Sequence, residues 1–495
     1  MNDTHPSGKA TTDWERIFHP RRIAVIGVSS SGTGFGSGIF YSLRAIGFSG
    51  EIFPVNPKGG EIFGETIYTD VQNIPGRIDF AIIAVAARFV PGVLAACLEK
   101  GAAGAEILSS GFSETGDAQG KKLEAEIKKV ASSGIRVIGP NCFGIYCPKS
   151  GLTVLPGPDL SRKPGPIAFL SQSGGMAVDF ANIGKSLGLG FSKVISFGNG
   201  ADLRETELLS YLADDPETGI ICMYIEGVDD GEAFFSALKH ASGRKPVIVI
   251  KGGLSESGGR AVASHTASLG GNRRIWQAVL RQAGAIQVAD VNEMADTATA
   301  LTMLADKQFL SISVSGGGGA LGVAAGDVAE QFGIRIPPFS DALVQQIESI
   351  LPRPGSSANN PIDVANPFVA AQDLEKILML AATDPGIELQ IFISLLHHYT
   401  TMAQVAEKPL RDVAPWQDLA AAFGRVRKES GKPVVVVFAN PKRGLEHMDV
   451  IEVIALARRA FMDHGIPVFD DLRACLRAIA NANRYHRNHM EALPS

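Results

Sequence analysis

The stretch Ser264-His265-Thr266-Ala267-Ser268-Leu269-Gly270-Gly271 sets a single imidazole among small residues. It follows an apolar run, Val247-Ile248-Val249-Ile250, and a glycine-rich segment from Gly252 to Gly259. Imidazole is nucleophilic at neutral pH and can carry a phosphoryl group covalently. Glycine restricts the backbone little, so His265 is read as riding on a loop that can swing toward a ligand. A polar loop histidine without chemistry is the plain alternative, and the motif alone does not separate the two.

A second chemical signal is Ser171-Gln172-Ser173-Gly174-Gly175, between the apolar run Ile167 to Leu170 and a helical pattern from Met176 to Leu187. Unsatisfied N–H groups at a helix N-terminus favour an anion, glycine lets it approach, and hydroxyls add donors. Ordinary capping by Ser171 or Ser173 is compatible with the same role.

The elements that must hold these residues read as α/β. In the first third, Arg22 to Gly27, Glu51 to Asn56, Phe80 to Val85, Ala105 to Leu108 and Arg136 to Ile138 are strand-like runs. They alternate with helical patterns, opening a doubly wound sheet whose strand ends bind ligands. Those ends carry Gly27, Ser29 and Ser31, then Val55, Asn56 and Lys58, then Val85, Ser110 and Gly111, and finally Asn141. The dinucleotide fingerprint needs a second glycine where Ser29 stands, and no acidic residue follows the second strand to meet a ribose hydroxyl. These two features count against a nicotinamide dehydrogenase. Lys58 suits a ligand with a phosphate near its ribose, as in coenzyme A, although a merely solvated lysine is also common.

The remainder reads as a duplicated pair of flavodoxin-like domains. Ser171-Gln172-Ser173-Gly174 is echoed by Ser315-Gly316-Gly317-Gly318-Gly319, Asp215-Pro216 by Asp384-Pro385, and Lys245-Pro246 by Lys432-Pro433, in one order. The copies differ where chemistry would sit. The first ends its middle strand on Glu226 and follows its lysine–proline strand with His265, whereas the second has Leu395 and Asn440-Pro441-Lys442-Arg443. Glu226 and His265 are therefore assigned to an active site. The expected domains are 13–150, Rossmann-like, then 163–302 and 308–485, both flavodoxin-like.

Composition limits the alternatives. The chain has 495 residues, 45% hydrophobic and 20% charged, with a net charge of −5. That suits roughly three globular domains and argues against a general nucleic-acid binder. Met1 to Asp13 lacks an apolar signal core, and no apolar run reaches the roughly 18 residues of a membrane helix. Cys97, Cys142, Cys147, Cys222 and Cys475 show neither CxxC spacing nor a cysteine–histidine metal cluster. Free thiols of a cytoplasmic protein are expected, with no metal site, membrane segment or nucleic-acid partner.

On Ile26-Gly27-Val28-Ser29, Pro54-Val55-Asn56-Pro57-Lys58, Gly139-Pro140-Asn141, Ser171-Gln172-Ser173-Gly174, Tyr224-Ile225-Glu226-Gly227 and Ser264-His265-Thr266, the chain resembles the NDP-forming acyl-CoA synthetases. The likeness is to the α part of ADP-forming acetyl-CoA synthetase and, more distantly, to succinyl-CoA synthetase α subunits. The resemblance implies that His265 is phosphorylated, that Glu226 is its stabilising partner, and that the first domain binds coenzyme A. It implies an acyl-phosphate route from a carboxylic acid to acyl-CoA. No Walker-type loop occurs and no segment is left for an ATP-grasp domain, so ATP/ADP with Mg2+ is expected on a separate ATP-grasp β subunit in a hetero-oligomer. A catalytically silent CoA-binding regulatory or scaffold protein of the same fold is the rival reading. Gly200, where relatives carry lysine, Ala267, where a glycine is common, and the Ser315 loop, where asparagine is usual, depart from the family pattern.

Overall fold

The structure, a computed structural model, describes residues 12–155, 157–266, 272–442 and 444–491. It contains two compact units, the first extending to Met294 and the second starting at Ala295.

In the first unit, β1 (Arg22–Ile26), β2 (Glu51–Val55), β5 (Phe80–Ile83), β6 (Gly104–Ile107) and β7 (Arg136–Ile138) form a parallel sheet in the order β2-β1-β5-β6-β7. A small hairpin, β3 (Glu61–Ile62) with β4 (Glu65–Thr66), lies outside it. Ile26 is level with Val55 on one side and Ile83 on the other, so the loops after these strands emerge side by side. Helices cover parallel sheets on both faces, which is why β1 and β5 are nearly continuous apolar runs.

The turn after β1 depends on two close approaches. Gly27 has φ +102°, and a Cβ there would lie 2.3 Å from the Ala84 carbonyl oxygen. Gly36, in the helix Phe35–Ile46, would place a Cβ 2.5 Å from the Gly27 oxygen. Helix and strand therefore touch backbone to backbone.

The second sheet of this unit takes β8 (Gly144–Tyr146), β9 (Pro164–Ser171), β10 (Phe191–Ser196), β11 (Ile220–Ile225), β12 (Val247–Lys251) and β13 (Ile286–Gln287), in the order β13-β12-β11-β9-β10-β8. Only β8 is antiparallel, so residues 144–146 already pair with the second sheet. One apolar cluster runs from Val25 and Phe80 to Leu170, Met223 and Val249, and the two sheets share that core. Arg136 adds a polar tie, donating to Asp202 at 2.8 Å.

The second unit holds β14 (Ile312–Gly316), β15 (Ile362–Asp363), β16 (Leu389–Ser394), β17 (Val434–Phe438) and β18 (Val468–Phe469), all parallel, in the order β15-β14-β16-β17-β18. This is the order of β10-β9-β11-β12-β13, the flavodoxin-like arrangement. The sequence echoes make equivalent bonds in both copies. Lys245 Nζ donates to the Asp215 carbonyl at 2.6 Å, and Lys432 Nζ donates to the Asp384 carbonyl at 2.6 Å. The Ile221 N–H meets the Pro246 carbonyl as the Gln390 N–H meets that of Pro433. The five cysteines are free and buried. His397 is buried against His398, their rings 4.4 Å apart, and burial holds its imidazole down at about 4.

The glycine-rich stretch before His265 differs from its reading as a loop. Glu256–Thr266 is a helix that takes in Gly258 and Gly259. Ser255 explains this, because its hydroxyl accepts from the Gly258 N–H at 3.0 Å and its carbonyl from the Gly259 N–H at 2.7 Å. Such capping is worth about 1 kcal/mol, comparable to the helix penalty of one glycine.

Gly36→Ala should destabilise the first unit by about 1–3 kcal/mol, because the new methyl meets backbone that has no rotamer to change. Gly92→Ala, in the helix Val90–Glu99 with open space at the Cβ position, should be neutral or slightly stabilising. Thermal unfolding of both variants checks this, and equal midpoints would contradict it.

Candidate active site

Strand register decides what meets at the carboxyl edge of the second sheet. Ser171 on β9 stands level with Tyr224 on β11 and with Ser196 on β10. Gln172 therefore leaves its strand beside Tyr224-Ile225-Glu226. The Gln172 N–H donates to the Tyr224 carbonyl at 3.1 Å. Its side-chain oxygen accepts from the N–H of Glu226 at 2.7 Å and of Gly227 at 3.3 Å. The Tyr224 hydroxyl donates to Glu226 Oε1 at 3.1 Å. Burial, and then the Glu226 charge, push the Tyr224 phenol up, so it stays protonated and can donate. Glu226 Oε2 is buried without a partner among the described residues. An unmade bond of this kind costs about 1–3 kcal/mol, so the oxygen fits an incoming N–H or O–H donor.

Lys251 holds the backbone of Glu226. It is buried at the end of β12, and its ammonium donates to the Glu226 carbonyl at 2.7 Å and to the Gly252 carbonyl. The same ammonium lies 4.8 Å from the Trp276 ring centroid. Burial pulls its pKa down to about 8, against the opposing pull of Glu226. Lys251 thereby ties the end of β11 to the start of the segment leading to His265. His265 is on the last turn of the helix Glu256–Thr266. Its side chain, and residues 267–271 with Ala267, lie outside the described residues.

The helix Gly174–Ser186 begins beside Glu226, with the Ser173 hydroxyl accepting from the Met176 N–H at its N-terminus. A Cβ on Gly174 would lie 2.2 Å from the Phe143 ring, so this ring rests on the first turn. Phe143 follows the turn Gly139-Pro140-Asn141, whose Gly139–Pro140 bond is cis. The turn is zipped to residues 198–201 by Asn199 N–H to Pro140 O at 3.0 Å and Ala201 N–H to Gly139 O at 2.8 Å. The Asn141 amide donates to the Asn199 side-chain oxygen at 3.3 Å, and the Asn199 amide donates to Glu114 Oε2 at 2.6 Å and Glu124 Oε2 at 3.1 Å. Burial raises the Glu124 carboxyl, but the Ser113 and Asn199 donors and Lys128 more than offset it and leave it below its usual value.

These pieces enclose a cavity of about 590 Å³. Ser110, Asn141, Gln172, Ser173, Gly174 and Glu226 all line it, as six of the candidates from the sequence. Ser171 is fully buried instead, its hydroxyl donating to the Ser173 carbonyl at 2.6 Å, so it shapes the turn. The remaining candidates of the first sheet stand at or after the ends of β1, β2, β5 and, for Gly111, β6. Ser29, Ser31 and Thr33 form a hydroxyl chain, with oxygens 2.8 and 2.7 Å apart. The N–H groups of Gly27 and Val28 both donate to the Val55 carbonyl. Asn56 accepts from the Lys58 N–H at 3.0 Å, and Gly60 of the same turn packs against Ser30. The Val85 carbonyl accepts from the Ser109 hydroxyl, and the Gly111 N–H is taken by Glu114 at 2.6 Å. Exposed Lys58 beside this hydroxyl-rich loop fits a phosphorylated nucleotide group.

Sequence reasoning missed Phe143, Asn199, Tyr224 and Lys251. A lysine closing an otherwise apolar strand was the one readable signal, since a buried lysine needs partners. At Gly200 the room is used by Arg204, whose Cγ would lie 3.1 Å from a Cβ there and whose guanidinium pairs with Asp229 at 2.8 Å. Among the described residues no group of three or more His, Cys, Asp or Glu side chains could hold a metal ion, and no helix is long and apolar enough to cross a membrane.

The first unit thus joins a nucleotide-binding type of sheet to a flavodoxin-like sheet around one polar cavity. The CoA binding domain family matches residues 21–148, and the succinyl-CoA ligase like flavodoxin domain matches residues 164–301. The α subunit of acetate–CoA ligase (ADP-forming) I of Pyrococcus furiosus is 34% identical, over 94% of this chain and 96% of that subunit. The acetate–CoA ligase (ADP-forming) I of Archaeoglobus fulgidus is 36% identical, over 96% of this chain but 64% of that longer protein. A solved structure of the dinucleotide forming acetyl-coenzyme A synthetase 1 of Ca. Korarchaeum cryptofilum, in complex with phosphate and ADP, aligns with a TM-score of 0.81 at 29% identity, covering 98% of this chain and all of that one. The chain belongs to the ADP-forming acyl-CoA synthetase family.

The depressed Lys251 gives a pH test. Its folded value of about 8 lies below the 10.5 of a free lysine, so between these values the unfolded chain binds more protons. Its burial penalty is full below pH 8 and is relieved as pH rises to 10.5. The stability of the wild type minus that of Lys251→Met should therefore increase across this window, measured by denaturant unfolding. A flat difference would contradict the buried-ammonium assignment.

Proposed function

We propose that this chain is the α subunit of an ADP-forming acid–CoA ligase that works through a phosphohistidine and an acyl phosphate. The observation that carries the reading is the unpartnered Glu226 Oε2 at the cavity that also receives the Gly174 helix N-terminus, Gln172 and Asn141. The overall reaction is acid + CoA + ATP ⇌ acyl-CoA + ADP + phosphate. ATP, held with Mg2+ on an ATP-grasp partner subunit, gives its γ-phosphoryl group to a His265 ring nitrogen and releases ADP. The histidine passes the group to the carboxylate of the acid, forming an acyl phosphate. The CoA thiol, losing its proton, then attacks the acyl carbon and phosphate leaves.

Each described residue has a role that follows from its position. Glu226 accepts from the other imidazole N–H, fixing the tautomer and stabilising charge on the ring. The helix N-terminus and the Ser173 hydroxyl hold the phosphoryl oxygens, where preorganised donors act strongly because they need no rearrangement. The Gln172 amide holds the Glu226 backbone in place. Gly27, Ser29, Ser31, Val55, Asn56, Lys58, Val85, Ser110 and Gly111 frame the coenzyme A site, with Lys58 toward its ribose phosphate. The partner subunit is supported by relatives that are named α subunits.

The phosphoenzyme tests this reading. In the reverse direction, the chain incubated with an acyl-CoA and labelled phosphate should acquire an acid-labile, base-stable label without any partner, whereas labelling from ATP should require one. His265→Ala should abolish the label. Glu226→Gln should slow it on the order of 10²-fold, the usual scale for a positioned electrostatic partner. A normal labelling rate in His265→Ala would refute the mechanism.

Lys58 gives an independent check. A charge-assisted contact contributes about 1.5–3 kcal/mol, so coenzyme A should bind about tenfold or more tightly than dephospho-CoA, and Lys58→Ala should remove the difference. Equal calorimetric affinities in the wild type would exclude Lys58 from the phosphate site.

A further inference from the structure

β6 carries a carboxyl group into the core that the two sheets share. Glu106 stands level with Ile82 on β5 and Ile138 on β7, both residues of the shared apolar cluster, and is 1% exposed. Its Oε2 accepts from the Ile145 N–H at 2.9 Å, and its Oε1 is buried without a partner among the described residues. Ile145 belongs to β8, which residues 139–143 deliver from the first sheet to the second. Gly144, with φ +82°, lies so close that a Cβ there would stand 2.6 Å from Oε1. The same crossover sets Asn141 and Phe143 at the cavity, where Phe143 joins an apolar wall of Phe35, Ile39, Leu108 and Leu155. Glu106 therefore lies against the backbone that carries both side chains.

Among the described residues no cation pairs with this carboxyl group. Arg136, level with Gly104 on the neighbouring β7, turns its guanidinium to Asp202, Glu207 and Thr12. The helix Trp14–Phe18 packs on the start of β6 through Ile17; its Arg16 is bonded to Asp79 and to the Ile78 and Gly101 carbonyls, and its Glu15 is exposed. The crossover contributes Cys142, whose thiol donates to the Ile107 carbonyl at 3.3 Å and is pushed up by burial, and then by Glu106, so it stays neutral. The helix Val90–Glu99 packs on the opposite face of the sheet, with Ala105 and Ile107. Burial holds the Glu106 carboxyl up at about 8, against the single bond from Ile145. A carboxylate here would be a buried charge without a counter-ion, and it could reach water only if the crossover moved.

We propose that Glu106, as a neutral carboxylic acid, is a positioning residue that holds the crossover 139–145, and with it Asn141 and Phe143, and that its ionisation loosens this segment. This role concerns the frame of the cavity, so it holds whatever the cavity binds. In the closed segment the group titrates near 8 and in water near 4.5, so between these values the closed form binds more protons than an opened one. The hold is therefore full below pH 4.5, weakens as pH rises to 8 and is level above it.

Amide hydrogen exchange of residues 139–147 in the full chain, compared between the wild type and Glu106→Gln, tests this. Glutamine keeps the shape and an oxygen for the Ile145 N–H but cannot ionise. The ratio of wild-type to variant protection cancels the pH dependence of the exchange chemistry itself. It should fall at least about tenfold between about pH 6 and about pH 8, because each pH unit in this window shifts the opening equilibrium by up to about tenfold, and then stay level. Infrared spectra at neutral pH should show a protonated-carboxyl band that is absent from Glu106→Gln. In the wild type alone this band should be lost as pH passes through 8, which checks the assignment even where the variant does not fold. A protection ratio that stays constant across the window, or a wild type without a carboxyl band titrating there, would overturn the proposal.

Discussion

The Gln172 side-chain carbonyl, accepting from the N–H groups of Glu226 and Gly227, is the contact on which the active-site edge depends. β9 and β11 are joined by ladder bonds up to the level of Ser171 and Tyr224, whereas β11 stays paired with β12 one residue further, at Ile225 and Lys251. The Gln172 amide carries the pairing on to Glu226 and Gly227, two and three residues beyond Tyr224. It fixes where Glu226 leaves its strand and where the Gly174 helix starts, and the cavity lies between them. A buried backbone donor left unpaired costs as much as a lost hydrogen bond, so this amide is strongly constrained. Tyr224 and Lys251 then hold Glu226 by its carboxylate and its backbone carbonyl respectively.

The second flavodoxin-like copy shows what the first keeps open. Its loop from Gly316 to Gly319 also leads into a helix, Gly319–Gln331, without a side-chain cap at Gly318. There Asp363 supplies a carboxylate, accepting from the Gly318 N–H at 3.1 Å and the Ala365 N–H at 2.7 Å. In the first copy the equivalent turn is capped by neutral hydroxyls of Ser171 and Ser173. An anion from outside meets no resident negative charge on that turn, and the positive end of the helix remains available to it.

Much of this was legible in the sequence. Apolar runs ending on glycine, serine or asparagine mark buried parallel strands and their binding edge, and the Asp-Pro and Lys-Pro echoes revealed the duplication because both copies use them in the same bonds. Ser173, Gly174, Asn141 and Glu226 stand within three residues of a strand end, which is why the sequence groups them, and they line one cavity. The apolar wall was not legible, because Ile39, Leu108, Phe143 and Leu155 come from four separate segments and each alone reads as core. Ser171 and Gly111 show that a residue type suited to a ligand can also serve the fold. Their types suit a ligand, yet the Ser173 carbonyl and the Glu114 carboxylate already engage them. The helical Gly258 and Gly259 were obscured because glycine count outweighed the single cap at Ser255 in a reading by composition.

Polar edge and apolar wall also differ in how they tolerate change. The edge is set by register and by short hydrogen bonds between named groups, so a substitution at Gln172 or Tyr224 leaves a buried partner unsatisfied. The wall is set by packing, and hydrophobic swaps of similar volume cost less than about 1.5 kcal/mol. Phe35, Ile39 and Leu155 can therefore vary in size without disturbing Glu226 or the helix N-terminus, because no hydrogen bond of the edge passes through their side chains. Phe143 touches both regions, since its ring rests on Gly174. A change there alters the room in the cavity and the approach to the helix together. Phe143 is therefore the position at which the packing of the cavity wall and the approach to the helix N-terminus are physically coupled.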